Sequence, residues 1–283
     1  MNEYAYYNGV FTPYKAACIP LSDRSIFFSD AIYDVIIGRG KNPYQLDLHL
    51  DRLFKNAELI GLTNPPSKSM IKEAIQELIE IADADTFMLY IQLSSDAEKR
   101  THSRCSRDTN LLVTITECEL PTELGEIRAI TLPDRRHGIC DIKTTNLLSA
   151  VLSVEEAKRR GADIAIFHKH AFVTECSYAN IAILQDGCLF THPLDSDILP
   201  GITQANLVTA CSRLGVPHLS HTFTLDEMFS ADAVMITSTT KLIKLCTEID
   251  GIRQSSSSRE LVQLLFEELK RDLHYKTEAN VSE

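Results

Sequence analysis

Short apolar runs and segments of helical periodicity alternate along the first part of the sequence. Residues 48–62 and 69–82 place apolar side chains three and four positions apart, which is typical of helices that bury one face. Runs rich in β-branched and large apolar side chains predict strands at residues 32–37, 87–93 and 111–115. This mixture predicts a small α/β domain over residues 1–117.

The remainder of the chain shows shorter and more numerous strands, separated by helices. Strands are predicted at residues 127–132, 163–167, 180–184 and 188–191, and helices at residues 146–160, 203–214 and 258–273. Asp186-Gly187 predicts a hairpin turn between the last two strands, because glycine readily takes the positive φ of such turns. Thr224 and Glu227 have the spacing of a helix capping box.

These patterns predict an α+β protein of two domains. We expect residues 118–122 to be an interdomain linker and residues 123–283 to form the larger domain. The polar residues after His274 are expected to fray.

The charge balance of the sequence limits the classes of function. The chain has 283 residues with 28 Lys+Arg and 39 Asp+Glu, for a formal charge of −11, so it lacks the basic face of a general nucleic-acid binder. No apolar run approaches the roughly 18–20 residues of a transmembrane helix. Residues 1–4 do not resemble a signal peptide. We therefore expect a soluble, cytoplasmic protein that binds neither nucleic acid nor membranes.

Cysteine and histidine spacing indicates neither a disulfide framework nor a metal site. The eight cysteines include no Cys-x-x-Cys pair, so reduced thiols packed as small apolar groups are expected. His168 and His170 form the one close histidine pair, and no further ligand residues stand at a suitable spacing. No metal is predicted.

Four segments place reactive groups at the ends of predicted elements. Lys143 precedes the apolar start of a helix, where partial shielding from water favours an amine nucleophile. Glu175 precedes a buried strand. Residues 199–203 lead through Pro-Gly into a helix whose first N–H groups suit a phosphate, and residues 237–240 place hydroxyls at the end of a strand.

Each segment alone also has a plain structural explanation. Lys143 fits a solvated surface lysine, and Glu175 fits an exposed acid in a turn. Pro200-Gly201 fits an ordinary turn before a helix, and residues 237–240 fit a polar strand end.

Taken in order, the segments resemble the class IV (fold-type IV) aminotransferases, which use pyridoxal 5'-phosphate. The family has a lysine, a glutamate, Pro-Gly-Ile-Thr and Ser-Thr-Thr in the same succession, and Leu50-Asp51-Arg52-Leu53 is similar to its phosphate-binding arginine segment. The resemblance extends from Asn8 to about Gly251. It implies a two-domain fold-type IV enzyme, with a small α/β domain and a larger strand-rich pseudobarrel domain that binds the cofactor.

The resemblance also implies a role for each candidate residue. Lys143 would carry the cofactor and act as the base at the substrate Cα, and Glu175 would bind the pyridine nitrogen. Leu199 would pack against the cofactor ring. The phosphate would be held by Arg52, Ile202, Thr203, Ser238 and Thr239.

The polar loop over residues 94–110 indicates the branch of the family. Its basic side chains are Lys99, Arg100, His102, Arg104 and Arg107. Arg100-Thr101-His102 is similar to the Arg-x-His carboxylate trap of D-amino-acid (D-alanine) aminotransferases, and Tyr33 matches that branch's pocket tyrosine. An arginine fork suits a carboxylate. The resemblance thus implies transamination of D-amino acids with 2-oxoglutarate or pyruvate as acceptor, in a homodimer whose loops reach the neighbouring active site.

Two departures from the pattern leave alternatives open. Ser94-Ser95 stands where similar enzymes have Arg-Gly, and Tyr178 interrupts a run that is usually rich in serine, where it would add bulk near the cofactor. A branched-chain L-amino-acid aminotransferase and an aminodeoxychorismate lyase of the same fold therefore remain alternatives. A catalytically silent cofactor carrier is a rival of another class, and the presence of both Lys143 and Glu175 counts against it.

Overall fold

A computed structural model describes residues 3–96, 100–103 and 108–278 and divides the chain into two compact units. Unit 1 comprises Met1–Leu120, Ile142–Asn146 and Leu273–Glu283, and unit 2 comprises Pro121–Asp141 and Leu147–Asp272. The two later segments of unit 1 were expected in the larger domain. Of the predicted basic loop, Lys99, Arg104 and Arg107 lie outside the described residues, as does Cys105.

Unit 1 is built on an antiparallel sheet of six strands in the order β2-β1-β6-β5-β3-β4. The strands are β1 (Tyr4–Tyr7), β2 (Val10–Pro13), β3 (Ala31–Arg39), β4 (Asn42–Pro43), β5 (Thr86–Ser95) and β6 (Thr109–Glu117). The helices are α1 (Arg24–Phe28), α2 (Leu46–Leu59) and α3 (Lys68–Ala82), with a 3-10 turn at Tyr14–Ala16. The strands and helices predicted from periodicity are confirmed.

Helices α2 and α3 bury the faces that their spacing predicted. Leu50 and Leu53 of α2 and Ile75 of α3 join one apolar core with Ile36 of β3 and Leu89 of β5. Burial of such side chains contributes on the order of 2 kcal/mol each. This core joins the two helices to the sheet.

Unit 2 contains a curled, strand-rich half-barrel sheet of nine strands. Its order is β12-β11-β10-β13-β14-β7-β8-β9, with β15 paired to β14. The strands are β7 (Gly125–Pro133), β8 (Ile164–Lys169), β9 (Phe172–Cys176), β10 (Asn180–Gln185), β11 (Cys188–Thr191), β12 (His218–Ser220), β13 (Ala233–Ser238), β14 (Leu242–Ile249) and β15 (Ile252–Arg253). The helices are α4 (Leu148–Arg159), α5 (Ile202–Leu214), α6 (Leu225–Ser230) and α7 (Arg259–Glu278). The part of α7 from Leu273 onward belongs to unit 1.

The hairpin turn and the helix cap that the sequence predicts in unit 2 are both present. Asp186 and Gly187 both have positive φ, 50° and 72°, and close the β10–β11 hairpin. Thr224 and Glu227 form the capping box of α6. The described cysteines are free thiols, and burial raises the pKa of Cys140 and Cys211 to about 11, as befits packed side chains.

The segment that carries Lys143 joins unit 1 through the start of β3. The Tyr33 N–H donates to the Lys143 carbonyl at 2.9 Å, and the Thr145 N–H donates to the Ala31 carbonyl at 3.1 Å. Lys143 therefore does not follow a strand directly. It lies in an irregular stretch between β7 and α4 whose backbone is held by β3.

The end of α7 corrects part of one expectation, since the chain continues as a helix beyond His274 to Glu278. Residues 279–283 of the predicted frayed tail lie outside the described residues. Asn42 donates from its side chain to the Thr277 carbonyl at 2.9 Å, and Arg39 pairs with Glu278 at 2.7 Å. These contacts, made within unit 1, stabilise a turn whose polar sequence alone predicted fraying. Within the described residues, no helix has the length and apolarity needed to span a bilayer.

Candidate active site

Lys143 of unit 1 lies against an aromatic pair. Its Nζ is 4.5 Å from the centroid of the Tyr33 ring, and Tyr33 stacks on Tyr90 with centroids 5.3 Å apart. Tyr90 is partly buried, its hydroxyl donates to Gln92 at 2.7 Å, and burial raises its pKa. The sequence reasoning named Lys143 and Tyr33 but missed Tyr90. Tyr90 comes near Tyr33 only through the pairing of β3 with β5, which the sequence does not show.

Arg52 of α2 is bound by a buried carboxylate that the sequence reasoning did not identify. Asp34 accepts from the Arg52 Nε at 2.9 Å and from its Nη2 at 2.8 Å, and His49 Nδ1 lies 2.7 Å from Asp34. Burial raises the pKa of Asp34, but the charge of Arg52 and the hydrogen bonds from His49 and Arg52 outweigh it and hold that pKa below its ordinary value. Arg52 is thus fixed in place by a carboxylate that stays ionised.

His49 is a neutral partner in this network. Burial lowers the pKa of His49, and the charges of Arg52 and Lys143 lower it further against the opposing effect of Asp34. A neutral imidazole leaves one carboxylate to balance Arg52. An acid within an otherwise apolar strand, one position after Tyr33, was the available sequence signal for Asp34.

Arg100 and His102 are brought together over the aromatic side chains of α1. The Arg100 guanidinium lies 5.2 Å from the Phe28 ring centroid, and the His102 ring meets Phe28 edge-on at 5.5 Å. Both basic side chains are exposed, as binding groups for a small anion would need to be. The structure thus places these two predicted residues on the same ring, and their role as a carboxylate trap stays a prediction.

The Ser94-Ser95 departure has a structural explanation in unit 1. Ser94 is buried and donates to Asp23 at 2.7 Å, and Asn110, its partner across the β5–β6 pair, donates to the same oxygen at 3.0 Å. A short hydroxyl at position 94 therefore satisfies a buried carboxylate at the base of the loop.

Glu175 of unit 2 is a buried carboxylate in β9, so the interpretation as an exposed acid in a turn is wrong. Its Oε1 contacts the Arg136 Nη1. Its Oε2 accepts from the Asn180 side chain and from the Leu199 N–H, both at 3.0 Å. Asn180 also donates to the Leu199 carbonyl at 2.8 Å. The structure thus brings two predicted residues, Glu175 and Leu199, together through Asn180, which sequence reasoning did not name.

Arg136 is held by a second carboxylate as well as by Glu175. It forks onto Asp134 with Nε at 3.0 Å and Nη2 at 2.6 Å, and Thr174 donates to Asp134 at 2.9 Å. Burial raises the pKa of Asp134, but hydrogen bonds and charge from Arg136 bring it below its ordinary value. The lowered pKa keeps Asp134 ionised, and the same guanidinium also binds Glu175.

Asn180 lies next to both the start of α5 and the end of β13. A Cβ at Gly201, the N-cap of α5, would lie 1.9 Å from the Asn180 Oδ1, so glycine is required there. Asn180 pairs across the sheet with Thr237, which places Ser238 and Thr239 directly after that register position. The N-cap supplies no side-chain acceptor, and the first N–H groups of a helix have no partner within it.

Tyr178, expected to add bulk near a cofactor, is 58% exposed, with its hydroxyl 3.5 Å from the Asp163 carbonyl. Burial of its remaining surface, followed by the influence of Cys176 and Asp163, raises its pKa.

Comparison with known proteins identifies the family. The model of the Amino-transferase class IV family matches residues 31–249. The D-alanine aminotransferase of Listeria monocytogenes serotype 1/2a (strain 10403S) is 32% identical over 266 residues, covering 90% of this chain and 92% of the relative. That of Bacillus licheniformis is 31% identical, covering 87% and 88%.

Solved structures show the same fold. A branched-chain aminotransferase from Thermoproteus uzoniensis with norvaline has a TM-score of 0.87 at 21% identity and covers 98% of this chain and 96% of its own. A branched-chain aminotransferase from T.th., complexed with N-(5'-phosphopyridoxyl)-L-glutamate, gives 0.86 at 20% identity, with 98% and 96% covered. A putative 4-amino-4-deoxychorismate lyase from Legionella pneumophila gives 0.83 at 23% identity, with 92% and 97% covered. This chain therefore belongs to the class IV aminotransferases, with their fold-type IV architecture and pyridoxal 5'-phosphate as cofactor.

Proposed function

We propose that this aminotransferase transfers the amino group of D-amino acids such as D-alanine to 2-oxoglutarate or pyruvate. The observation that carries the proposal is the placement of Arg100 and His102 together against Phe28, in an Arg-x-His arrangement suited to a carboxylate. Support also comes from the relatives named D-alanine aminotransferase, which align over most of the chain.

The donor set fits the cofactor. The first N–H groups of α5 lack an acceptor from the N-cap, and the buried Thr237 hydroxyl has no hydrogen-bond partner among the described residues. Donors of this kind suit a phosphate. In our proposal Arg52, the N–H groups of Ile202 and Thr203, and the hydroxyls of Ser238 and Thr239 hold the phosphate, and Leu199 packs on the ring.

The cofactor, when bound, supplies the electron sink that stabilises a carbanion at the substrate Cα. The protein's own part is to hold the pyridine nitrogen and to move a proton. Glu175 would accept from the pyridinium, and its position is fixed by Arg136 and Asn180. The Lys143 amine, beside Tyr33, would take the Cα proton and return it.

The substrate carboxylate would be bound by Tyr33, Arg100 and His102. Arginine offers a bidentate fork, and phenol and imidazole donors fix the orientation of the carboxylate. This arrangement selects for substrates with a carboxylate on the reacting carbon.

We also propose that the working form is a homodimer. The helix α4 exposes Leu148, Val151 and Leu152 to 71%, 54% and 62%, and these positions share one face of the helix. A contiguous exposed apolar face is the mark of an interaction surface. A second copy of this chain is the partner that the family resemblance implies.

A panel of D- and L-amino acids with 2-oxoglutarate as common acceptor tests the substrate. We expect turnover of D-alanine and none of L-leucine. The competing functions are those of the structural neighbours, a branched-chain aminotransferase and an aminodeoxychorismate lyase. Oxo-acid formation from L-leucine alone would reject the D-specific proposal in favour of the first. Pyruvate released from aminodeoxychorismate without an acceptor would favour the second.

A further inference from the structure

Arg24 is a buried cation that hydrogen-bonds to the backbone of the segment carrying Arg100 and His102. It is the first residue of α1 and is 4% exposed. Its Nε pairs with Asp30 at 2.7 Å. Its Nη1 donates to the Thr101 carbonyl at 2.6 Å and lies 3.5 Å from the Ser103 carbonyl, and its Nη2 donates to the His102 carbonyl at 3.3 Å.

The three residues whose carbonyls Arg24 contacts form neither helix nor strand. Thr101, His102 and Ser103 make no ladder that would fix their backbone. Fixing one residue's backbone costs about 1–2 kcal/mol in conformational entropy, so an ordered loop needs compensating bonds. One guanidinium, with its planar set of donors, reaches three successive carbonyls.

The helix α1 links Arg24 to the side chains of the trap. The Arg24 guanidinium lies 4.4 Å from the Phe28 centroid, and Arg100 and His102 contact the same ring. Phe28 is thus shared by Arg24 and the two exposed basic residues. The five-residue helix α1 therefore contacts both the backbone of this loop, through Arg24, and its side chains, through Phe28.

The preceding residue anchors this helix to the sheet. Asp23 caps α1 by accepting from the Ser25 N–H at 2.9 Å. It also accepts from Tyr7 and Asn110 at 3.0 Å and from Ser94 at 2.7 Å, which lie on β1, β6 and β5. The base of the β5–β6 loop and α1 are therefore held by one buried carboxylate.

We propose that Arg24 is the positioning residue of the substrate-carboxylate loop. It acts through the carbonyls of Thr101, His102 and Ser103 and does not itself touch the substrate. The inference rests on the proposed function for the identity of the ligand, and on the contacts above for the positioning.

The test uses Arg24→Lys, Arg100→Gln, the double variant and the matched control Arg39→Gln. Lysine keeps the charge facing Asp30 but loses the fork, so the fold has its best chance of surviving. Arg39 is another arginine of unit 1, and it binds Glu278 and not the loop. Kinetics use D-alanine, or whichever amino acid the wild-type enzyme turns over in the panel.

We expect Arg24→Lys to raise KM about tenfold and to leave kcat within about twofold, the size of effect when charge-assisted bonds are lost. In the double variant the effects of Arg24→Lys and Arg100→Gln on KM should be less than additive, because part of the effect of Arg24 is exerted through Arg100 and the rest through His102. Arg39→Gln should resemble the wild type. Additive effects of Arg24→Lys and Arg100→Gln, or a fall in kcat at constant KM, would overturn the proposal.

Trypsin cleavage after Arg100 gives a readout that does not depend on turnover. Arg24→Lys should be cut several-fold faster there than the wild type, and Arg39→Gln should not. Faster cleavage with turnover confined to L-amino acids would reject the D-specific function and retain the positioning role. If the wild type turns over D-alanine but Arg24→Lys shows unchanged cleavage and unchanged KM, the D-specific function stands and the positioning role of Arg24 is rejected.

Discussion

The guanidinium of Arg52 binds both carboxylate oxygens of Asp34, at 2.9 and 2.8 Å, in a site where both side chains are nearly inaccessible to water. The arginine to which the family resemblance gives a phosphate-binding role is therefore already oriented by a protein carboxylate. His49 completes the site at 2.7 Å from the same acid. A buried ion pair of this kind is costly to break, because the remaining charge is left without compensation.

Replacing Asp34 with asparagine should destabilise the protein by about 3 kcal/mol at pH 7, since Arg52 would remain buried without its anion. The folded pKa of Asp34 lies below its ordinary value, so the unfolded chain takes up the proton first as the pH falls. The free energy of unfolding of the wild type should thus decrease below about pH 4, and Asp34→Asn should lose that part of the dependence. Urea unfolding between pH 3 and pH 7 measures both effects.

The exposed pair Asp47–Lys72, at 2.6 Å on the same domain, gives the control. Asp47→Asn should change the free energy of unfolding by less than about 0.5 kcal/mol, because exposed ion pairs contribute little. Equal losses for the two variants would show that burial of the Asp34 site has no energetic consequence.

Gly201→Ala should weaken cofactor binding, and the cause is steric. The backbone of Gly201 has φ −72°, which alanine accepts, but its Cβ would meet the Asn180 Oδ1 at 1.9 Å. Asn180 must then move away from Glu175 and Leu199, at a cost of roughly 1–3 kcal/mol. Equilibrium dialysis of pyridoxal 5'-phosphate measures the loss. Gly138→Ala, which has open space around the new methyl group, should bind like the wild type.

Thr237→Val should have opposite effects on the two forms of the enzyme. Without cofactor, removing a buried hydroxyl that lacks a partner in the described structure should stabilise the fold by about 1 kcal/mol. With cofactor, we expect a smaller thermal stabilisation by the ligand, because one donor near the phosphate is lost. Thermal unfolding with and without pyridoxal 5'-phosphate tests this. A destabilised cofactor-free variant would show that the hydroxyl already has a structural role.

Leu152→Glu on the exposed face of α4 should shift the protein from dimer to monomer and abolish turnover. A charge placed on an apolar interface must be desolvated, which opposes association. Sedimentation velocity reports the species. Glu155→Gln, on the same helix in an exposed pair with Lys158, should remain dimeric. A wild type that sediments as a monomer while fully active would contradict the proposed assembly.

The parts of the fold that the sequence predicted are those that depend on local periodicity. Leu50 and Leu53 lie on the buried face of α2, and the Asp186-Gly187 turn has the φ values that its residues favour. Strand β9 was missed, because Thr174 and Glu175 break its apolar pattern and are buried only through long-range partners.

The parts of the site that could not be predicted depend on contacts between distant residues. Arg24 binds a carbonyl 77 positions away, and no spacing rule reaches that far. The sequence also could not predict that Lys143 belongs to unit 1. Backbone hydrogen bonds to β3 place it there, and the sequence around Lys143 does not indicate them. The order of the motifs predicts Lys143, Glu175 and Arg52 as site residues. Only the structure shows that Asp34 binds Arg52 and that Arg136 and Asn180 bind Glu175.

Borohydride reduction followed by peptide mapping tests most directly whether Lys143 is the lysine that carries the cofactor. The purified enzyme should yield one phosphopyridoxyl group per chain, on the peptide that contains Lys143. Lys143→Ala should yield none and should lose transamination. A reduced adduct on another lysine, or turnover that persists in Lys143→Ala, would contradict the account.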